Sequence, residues 1–264
     1  MVDLPTQSGG VHMSSKLAKS ILKKFTPLLR DTSFFMQGQM DINPRSRWYN
    51  RELVQETGGF FPKNSRDNRQ ICNLEPWDCT RRDMLVLLLR TITEQGVSGD
   101  MAEVGVYKGS TARLIHHYLP ERNLHLFDTF EGFTERSIVA EKENTDFTTK
   151  GHKFSDTSLE GVQRYVSRLN DNVHYYKGYF PDSIPPGFDE LKFSFVHLDA
   201  DLFEPTMEGL KYFYPRMNAN GLLLVHDYNA WKGARMAVDE FFSDKSEMPV
   251  PMPDKSGSAL IVKQ

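Results

Sequence analysis

From residue 101 onward the chain alternates short apolar runs with amphipathic segments of helical period. MAEVGVY (101–107), NLHLFD (123–128), NVHYYKG (172–178), KFSFVHLD (192–199), GLLLVHDY (221–228) and SALIVK (258–263) read as strands. GSTARLIHHYL (109–119), SLEGVQRYVSRL (158–169), PTMEGLKYFYPRM (205–217) and GARMAVDEFFSD (233–244) read as the helices between them. A helix between two strands is long enough to cross over the sheet, so the strands pair in parallel. The alternation therefore predicts an α/β, Rossmann-like domain. One further helix is expected upstream over TRRDMLVLLLRTITEQG, capped by Thr80 and ended by Gly96. No segment repeats, and no linker interrupts the chain after residue 80.

A length of 264 residues suits one large domain with an appendage. The domain is placed at 80–264, an N-terminal extension at 16–79, and a flexible tail or expression remnant at 1–15. Within the extension, KLAKSILKKFTPLLR sets Leu17, Ile21, Phe25, Leu28 and Leu29 near one helical face. Such a basic amphipathic helix packs on its own domain or a second subunit, or else lies on a membrane surface. Residues 31–77 show no period and read as a lid or a partly disordered segment.

Lys and Arg number 32 against 35 Asp and Glu, a formal net charge of −3. That balance offers nucleic acid no general electrostatic hold. No apolar run approaches the ~20 residues that span a bilayer. The first residues, MVDLPTQSGGVHMSS, lack the apolar centre of a secretory signal. Cys72 and Cys79 match no trusted metal spacing and make no disulfide framework. Together these features predict a cytoplasmic protein with reduced thiols.

The first strand runs into a glycine turn, GDMAEVGVYKGST, with Glu103 inside the strand and Gly105 and Gly109 flanking the turn. The Gly-Lys-Ser/Thr ending of a phosphate loop is missing. So is the third glycine of the dinucleotide fingerprint, which argues against a nicotinamide-dependent oxidoreductase. A turn preceded by an acid suits a ligand that offers an amino or sulfonium group. The next strand ends LFDTFEGF, which brings Asp128 beside the turn. An acid there accepts ribose hydroxyls, or is simply a solvated strand end. The pair together points to a nucleoside ligand with little phosphate, of which S-adenosylmethionine is the obvious instance.

Two later strands end in acids. HLDADLFEPT presents Asp199 and Asp201, and VHDYN presents His226 and Asp227. The carboxyl edge of an open parallel sheet is where such folds bind ligands. One reading is a divalent ion, Mg²⁺ or a softer metal taken by the histidine, which holds a substrate hydroxyl and lowers its pKa. The other is strand-end acids that cap helices or pair with Lys and Arg, with Asp201 expected as a helix cap. A neutral His226 would alternatively serve as general base. His197 is expected to be structural, and His116 and His117 to lie at the surface. Trp48, Trp77, Trp231, Tyr179 and Phe180 offer stacking surfaces or core packing.

The motifs GDMAEVGVYKGSTA, LHLFDTFEGF, FSDTSLEGV, KGYFPDSIP, VHLDADLFEPT and VHDYNAWKGARMAVDEF, from about Cys79 to the C-terminus, together resemble the macrocin O-methyltransferase family. The resemblance implies S-adenosylmethionine-dependent methylation of sugar or phenol hydroxyls in natural-product pathways. It implies a Rossmann-like, seven-stranded, mostly parallel sheet with helices on both faces and the last strand antiparallel, plus an N-terminal helical or irregular extension. Glu103, Gly105, Tyr107, Gly109 and Ser110 would line the cofactor's methionine end, and Asp128 would hold the ribose. Ser155, Asp156 and Ser158, or the turn at Gly178–Tyr179, would border the adenine. Asp199 matches the first metal ligand and Asp227 the second, while His226 stands where the family usually has another acid. That departure implies a His-containing metal site, a weakened one, or a base-driven reaction without Mg²⁺. The N-terminal third would form a lid and a homodimer contact. A cofactor-binding module without turnover is the competing reading.

Overall fold

The computed structural model describes residues 74, 78–145, 154–167 and 172–264. The tail over 1–15, the basic helix, Trp48, Trp77, Cys72 and the expected lid and dimer contact lie outside the described residues. All described residues fall in one compact unit spanning Asn50–Gln264.

The elements run α1 (Cys79–Glu94), β1 (Asp100–Val104), α2 (Ser110–Tyr118), β2 (Leu124–Asp128), α3 (Glu135–Asn144), α4 (Leu159–Val166), β3 (Val173–Lys177), β4 (Phe193–Leu198), α5 (Phe203–Phe213), β5 (Met217–Val225), α6 (Lys232–Phe241), β6 (Val250–Pro251) and β7 (Ala259–Val262). Among the described residues the strands form one seven-stranded sheet in the order β3-β2-β1-β4-β5-β7-β6. β1 to β5 pair in parallel, whereas β7 runs antiparallel to β5 and β6 antiparallel to β7. The parallel strands and their covering helices are what the strand–helix alternation predicts, and the seven strands with an antiparallel last strand are what the family resemblance implies. No helix among the described residues is long and apolar enough to cross a membrane.

Every residue of β4 is buried, as a central parallel strand covered on both faces requires. One set of helices packs α1 on α2 and α2 on α4, and another packs α3 on α5 and α5 on α6. Between the sheet and its helices sit Phe127, Phe193, Val196, Leu210, Phe213 and Leu223, all fully buried. Each such side chain stabilises the fold by roughly 1.5–3 kcal/mol, which makes this layer the main source of stability.

Two elements escape the sequence pattern. Helix α3 buries only Ser137 and Glu141, so it has no apolar stripe to betray it. Strand β6 is two residues long. Three local expectations are corrected. Asp78, not Thr80, caps α1, its side chain accepting from the Arg81 amide at 3.0 Å. Asp201 does not cap α5, whose N-cap is Leu202 with no side-chain bond. His116 is buried against the domain rather than at the surface.

The cap that α5 lacks comes from elsewhere in the chain. Glu141 of α3, 3% exposed, accepts from the Phe203 amide at 2.7 Å. Its other oxygen accepts from the Thr145 hydroxyl at 3.1 Å. A free helix N-terminus favours an anion, and here the anion is supplied by a third helix. Gly233 of α6 makes the room: a Cβ there would strike the Glu141 carboxylate and lie 2.6 Å from the Phe203 nitrogen. Alanine in place of an ordinary helical glycine stabilises by about 0.5–1 kcal/mol. At Gly233 the sign should reverse. Gly233→Ala is expected to lower the melting temperature by roughly 2–8 °C, from overpacking of ~1–3 kcal/mol. A thermal melt followed by circular dichroism checks it, and a higher melting temperature would contradict the joint.

Candidate functional site

The carboxyl ends of β1 to β5 surround a cavity of about 270 Å³. Its floor is the glycine turn. Gly105 has φ +85° and lies against the exit of β4, so that a Cβ would overlap the Asp199 carbonyl and lie 2.6 Å from its carbon. Only glycine allows β1 and β4 to approach this closely. Tyr107 follows at φ +50°. Asp128 at the end of β2 holds the turn in place. One oxygen accepts from the Val106 and Tyr107 amides at 2.7 and 3.0 Å, and the other from the Phe130 amide at 2.5 Å. Asp128 also borders the cavity, where its remaining lone pairs stay available.

Gly105, Tyr107, Ser110, Asp128, Gly178, Tyr179, Asp199, His226 and Asp227 all line the cavity. Five expected residues do not. Glu103 is fully buried behind the turn, where one oxygen takes the Thr111 hydroxyl and sits 2.9 Å from His197 Nδ1. His197 is thus structural, as expected. Gly109 precedes α2 and meets α4, since a Cβ there would fall 2.7 Å from Val166. Ser158 caps α4 by accepting from the Gly161 amide at 3.2 Å. Asp156 binds the Tyr107 hydroxyl at 2.6 Å and Lys108 Nζ at 2.5 Å, outside the cavity wall. Ser155 is exposed. The wall that these residues were expected to form is built by Phe154 at φ +51° instead. Its ring meets Tyr107 and Phe133 edge-on, each at 5.2 Å between centroids, and Trp231 stands 6.0 Å from Phe133.

On the opposite side lies the acid cluster. His226 Nδ1 is 2.7 Å from Asp199 Oδ1 and 3.2 Å from Asp227 Oδ2. Two residues that no motif pointed to complete it. Arg81 at the start of α1 places Nη1 3.3 Å from Asp199 Oδ2 and 3.0 Å from His226 Nε2. Asp254, in the turn before β7, places Oδ2 3.7 Å from His226 Nε2 and is itself fixed by the Ser258 amide and hydroxyl at 2.7 and 2.8 Å. Arg81 precedes the strand–helix alternation, and Asp254 sits in a loop, PMPDKSGS, that reads only as a turn.

Burial pulls the His226 imidazole down, but the Asp199 charge and hydrogen bond, with the Asp227 hydrogen bond, outweigh it and hold the pKa at about 10. Burial pushes the Asp199 carboxyl up, yet the His226 charge and hydrogen bond keep it well below the usual carboxylate range. Burial likewise opposes, and hydrogen bonds from His226 and Asp201 override it, in lowering Asp227. Burial, the Asp227 hydrogen bond and the Asp199 charge push Asp201 well above that range, so it favours its protonated form. His226 Nδ1 is held by the carboxylates of Asp199 and Asp227, so the ring is their partner and not the free general base that the sequence allows.

Two sets of ligating atoms fall within 4.8 Å of one another: Asp199, His226 and Asp227, and Glu103, His197 and Asp199. Mg²⁺ demands near-octahedral coordination by oxygen. The first set instead offers a nitrogen already bonded between two carboxylates, with Arg81 on the free oxygen of Asp199. In the second set, Glu103 and His197 are bonded to each other. The residues present do not fit a resident Mg²⁺ ion.

The model of the macrocin-O-methyltransferase (TylF) family matches residues 79–259. The 8-demethyl-8-(2,3-dimethoxy-alpha-L-rhamnosyl)-tetracenomycin-C 4'-O-methyltransferase of Streptomyces olivaceus is 30% identical over 172 residues, 61% of this chain and 64% of that protein. The mycinamicin III 3''-O-methyltransferase of Micromonospora griseorubida is 31% identical over 160 residues, 55% of this chain and 61% of that protein. The match thus spans less than two thirds of either relative. Among solved structures, the O-methyltransferase NovP superposes with a TM-score of 0.63 at 21% identity, covering 89% of this chain and 98% of its own. CalS11, a calicheamicin methyltransferase, gives 0.57 at 16% identity, covering 99% and 98%. At those identities the likeness is one of fold. Since the family model spans well over half of the sequence, the chain belongs to the macrocin-O-methyltransferase (TylF) family.

Proposed function

We propose that this chain is an S-adenosylmethionine-dependent O-methyltransferase acting on a hydroxyl of a small molecule, namely a sugar, a glycosylated compound or a phenol. One observation carries the reading: the clamped glycine turn and the acid cluster line one and the same cavity. The similar proteins named for tetracenomycin-C and mycinamicin III methylation support the choice of an oxygen acceptor.

Gly105, Tyr107 and Ser110 would hold the amino-acid end of S-adenosylmethionine, and Asp128 its ribose. The close backbone approach at Gly105 leaves room for such a ligand along the turn. When bound, S-adenosylmethionine supplies an electrophilic methyl group, which the acceptor oxygen takes as the sulfur–carbon bond breaks. The Asp227 carboxylate would orient the acceptor hydroxyl and take its proton as the new carbon–oxygen bond forms, while Asp199 stays paired with His226 and Arg81. Both are held ionised by their hydrogen bonds to His226. Phe133, Phe154 and Trp231 screen the reacting atoms from water. Holding the two substrates in one orientation supplies much of the acceleration.

Calorimetry should show binding of S-adenosylmethionine, and a protein that fails to bind it at millimolar concentration would end this reading. Asp128→Ala removes the clamp on three amides as well as the ribose acceptor, and should weaken that binding at least tenfold, about 1.4 kcal/mol. Asp227→Asn should leave cofactor affinity within a few-fold while methyl transfer to a hydroxylated acceptor falls by about 10²–10⁴. Cofactor binding with no transfer to any acceptor, in the unaltered protein, would identify a module without turnover.

A further inference from the structure

Asp199, Asp227 and Asp254 converge on His226 at one side of the cavity. Acids packed this closely need a compensating positive charge. Here the chain meets that need from its own sequence, with His226 between Asp199 and Asp227 and Arg81 on the outer oxygen of Asp199. The Arg81 guanidinium, 14% exposed, reaches Asp199 Oδ2 and His226 Nε2. Its position is built rather than incidental. Asp78 accepts from the Arg81 amide with one oxygen and from the Lys255 amide with the other, at 3.0 and 3.2 Å. That pair of hydrogen bonds docks the start of α1 onto the turn that carries Asp254. Arg81 and Asp254 thereby approach the same nitrogen of His226 from two ends of the chain.

The space among Asp199, His226 and Asp227 is spanned by the hydrogen bonds of His226 Nδ1. A divalent ion entering it would have to displace those bonds and sit beside the guanidinium. We propose that Arg81, beside His226, is a resident cation of this site and that it excludes a divalent metal ion. The proposal rests on the methyl-transfer reading only for its chemical purpose, since metal exclusion belongs to the cluster itself. In that chemistry Arg81 holds Asp199 in place and offers the acceptor oxygen a fixed positive charge as its proton leaves.

The test is titration with Mn²⁺ of the full chain, read by electron paramagnetic resonance, and it needs neither S-adenosylmethionine nor an acceptor. The unaltered protein should leave the free Mn²⁺ signal undiminished at micromolar ion. Arg81→Met keeps the bulk but drops the charge, and should gain Mn²⁺ affinity at least tenfold. Asp199→Asn in that background should abolish the gain, and Arg81→Lys should keep the metal out. Micromolar Mn²⁺ binding by the unaltered protein, lost in Asp199→Asn, would overturn the proposal whether or not Arg81→Met folds. A folded Arg81→Met protein that binds Mn²⁺ no better than its parent would overturn it as well. Failure of S-adenosylmethionine to bind would strike the proposed activity and leave these titrations untouched.

Discussion

The exits of β1 and β4 press together at Gly105, and the rest of the site depends on that contact. A side chain there would drive the two strands apart. The sheet order reverses direction between β1 and β4, which opens a crevice at their carboxyl ends. The close approach sets Asp199 directly beside the glycine turn, so a ligand lying on the turn is within reach of the acids. Asp128 then fixes the turn from the neighbouring strand through the two backbone amides of Val106 and Tyr107. Neither feature alone would make a site, because the turn without the contact faces no acids and the acids without the turn face no ligand.

Charge decides how the opposite wall behaves. A buried carboxylate is costly unless it is paired or protonated. The cluster uses both remedies: Asp201 favours its proton, while Asp199 and Asp227 stay ionised against His226 and Arg81. The same pairing that keeps Asp199 ionised removes His226 from service as a base. A histidine at position 226 thus sets the roles of its neighbours as well as its own.

How much of this was legible in the sequence follows from what each residue answers to. β1 to β5 and their helices were legible because each buries an apolar face, and burial imposes a period. Helix α3 was not, because it is held by the Glu141 carboxylate rather than by an apolar stripe. The acids at 128, 199 and 227 were legible because strand ends gather on one edge of a parallel sheet. Arg81 and Asp254 were not, since no period or motif links a helix start to a loop so distant along the chain. Ser155, Asp156 and Ser158 were placed by family likeness alone, and the geometry puts Phe154 at the wall in their stead.

The hydrogen bonds from Asp78 to Arg81 and to Lys255 join residues 177 positions apart. Contacts of such separation form late, after nearer pairings have lowered the cost of closing the loop. Asp254 therefore takes its place beside His226 only when the last strand has been made and has paired beside β5. During synthesis the glycine turn and most of the acids leave the ribosome well before their cation is locked in place. The C-terminal residues thus act as a completion step: a chain that stops short of Lys255 would leave Asp78 bonded only within its own helix cap, with the start of α1 undocked from the far end of the domain.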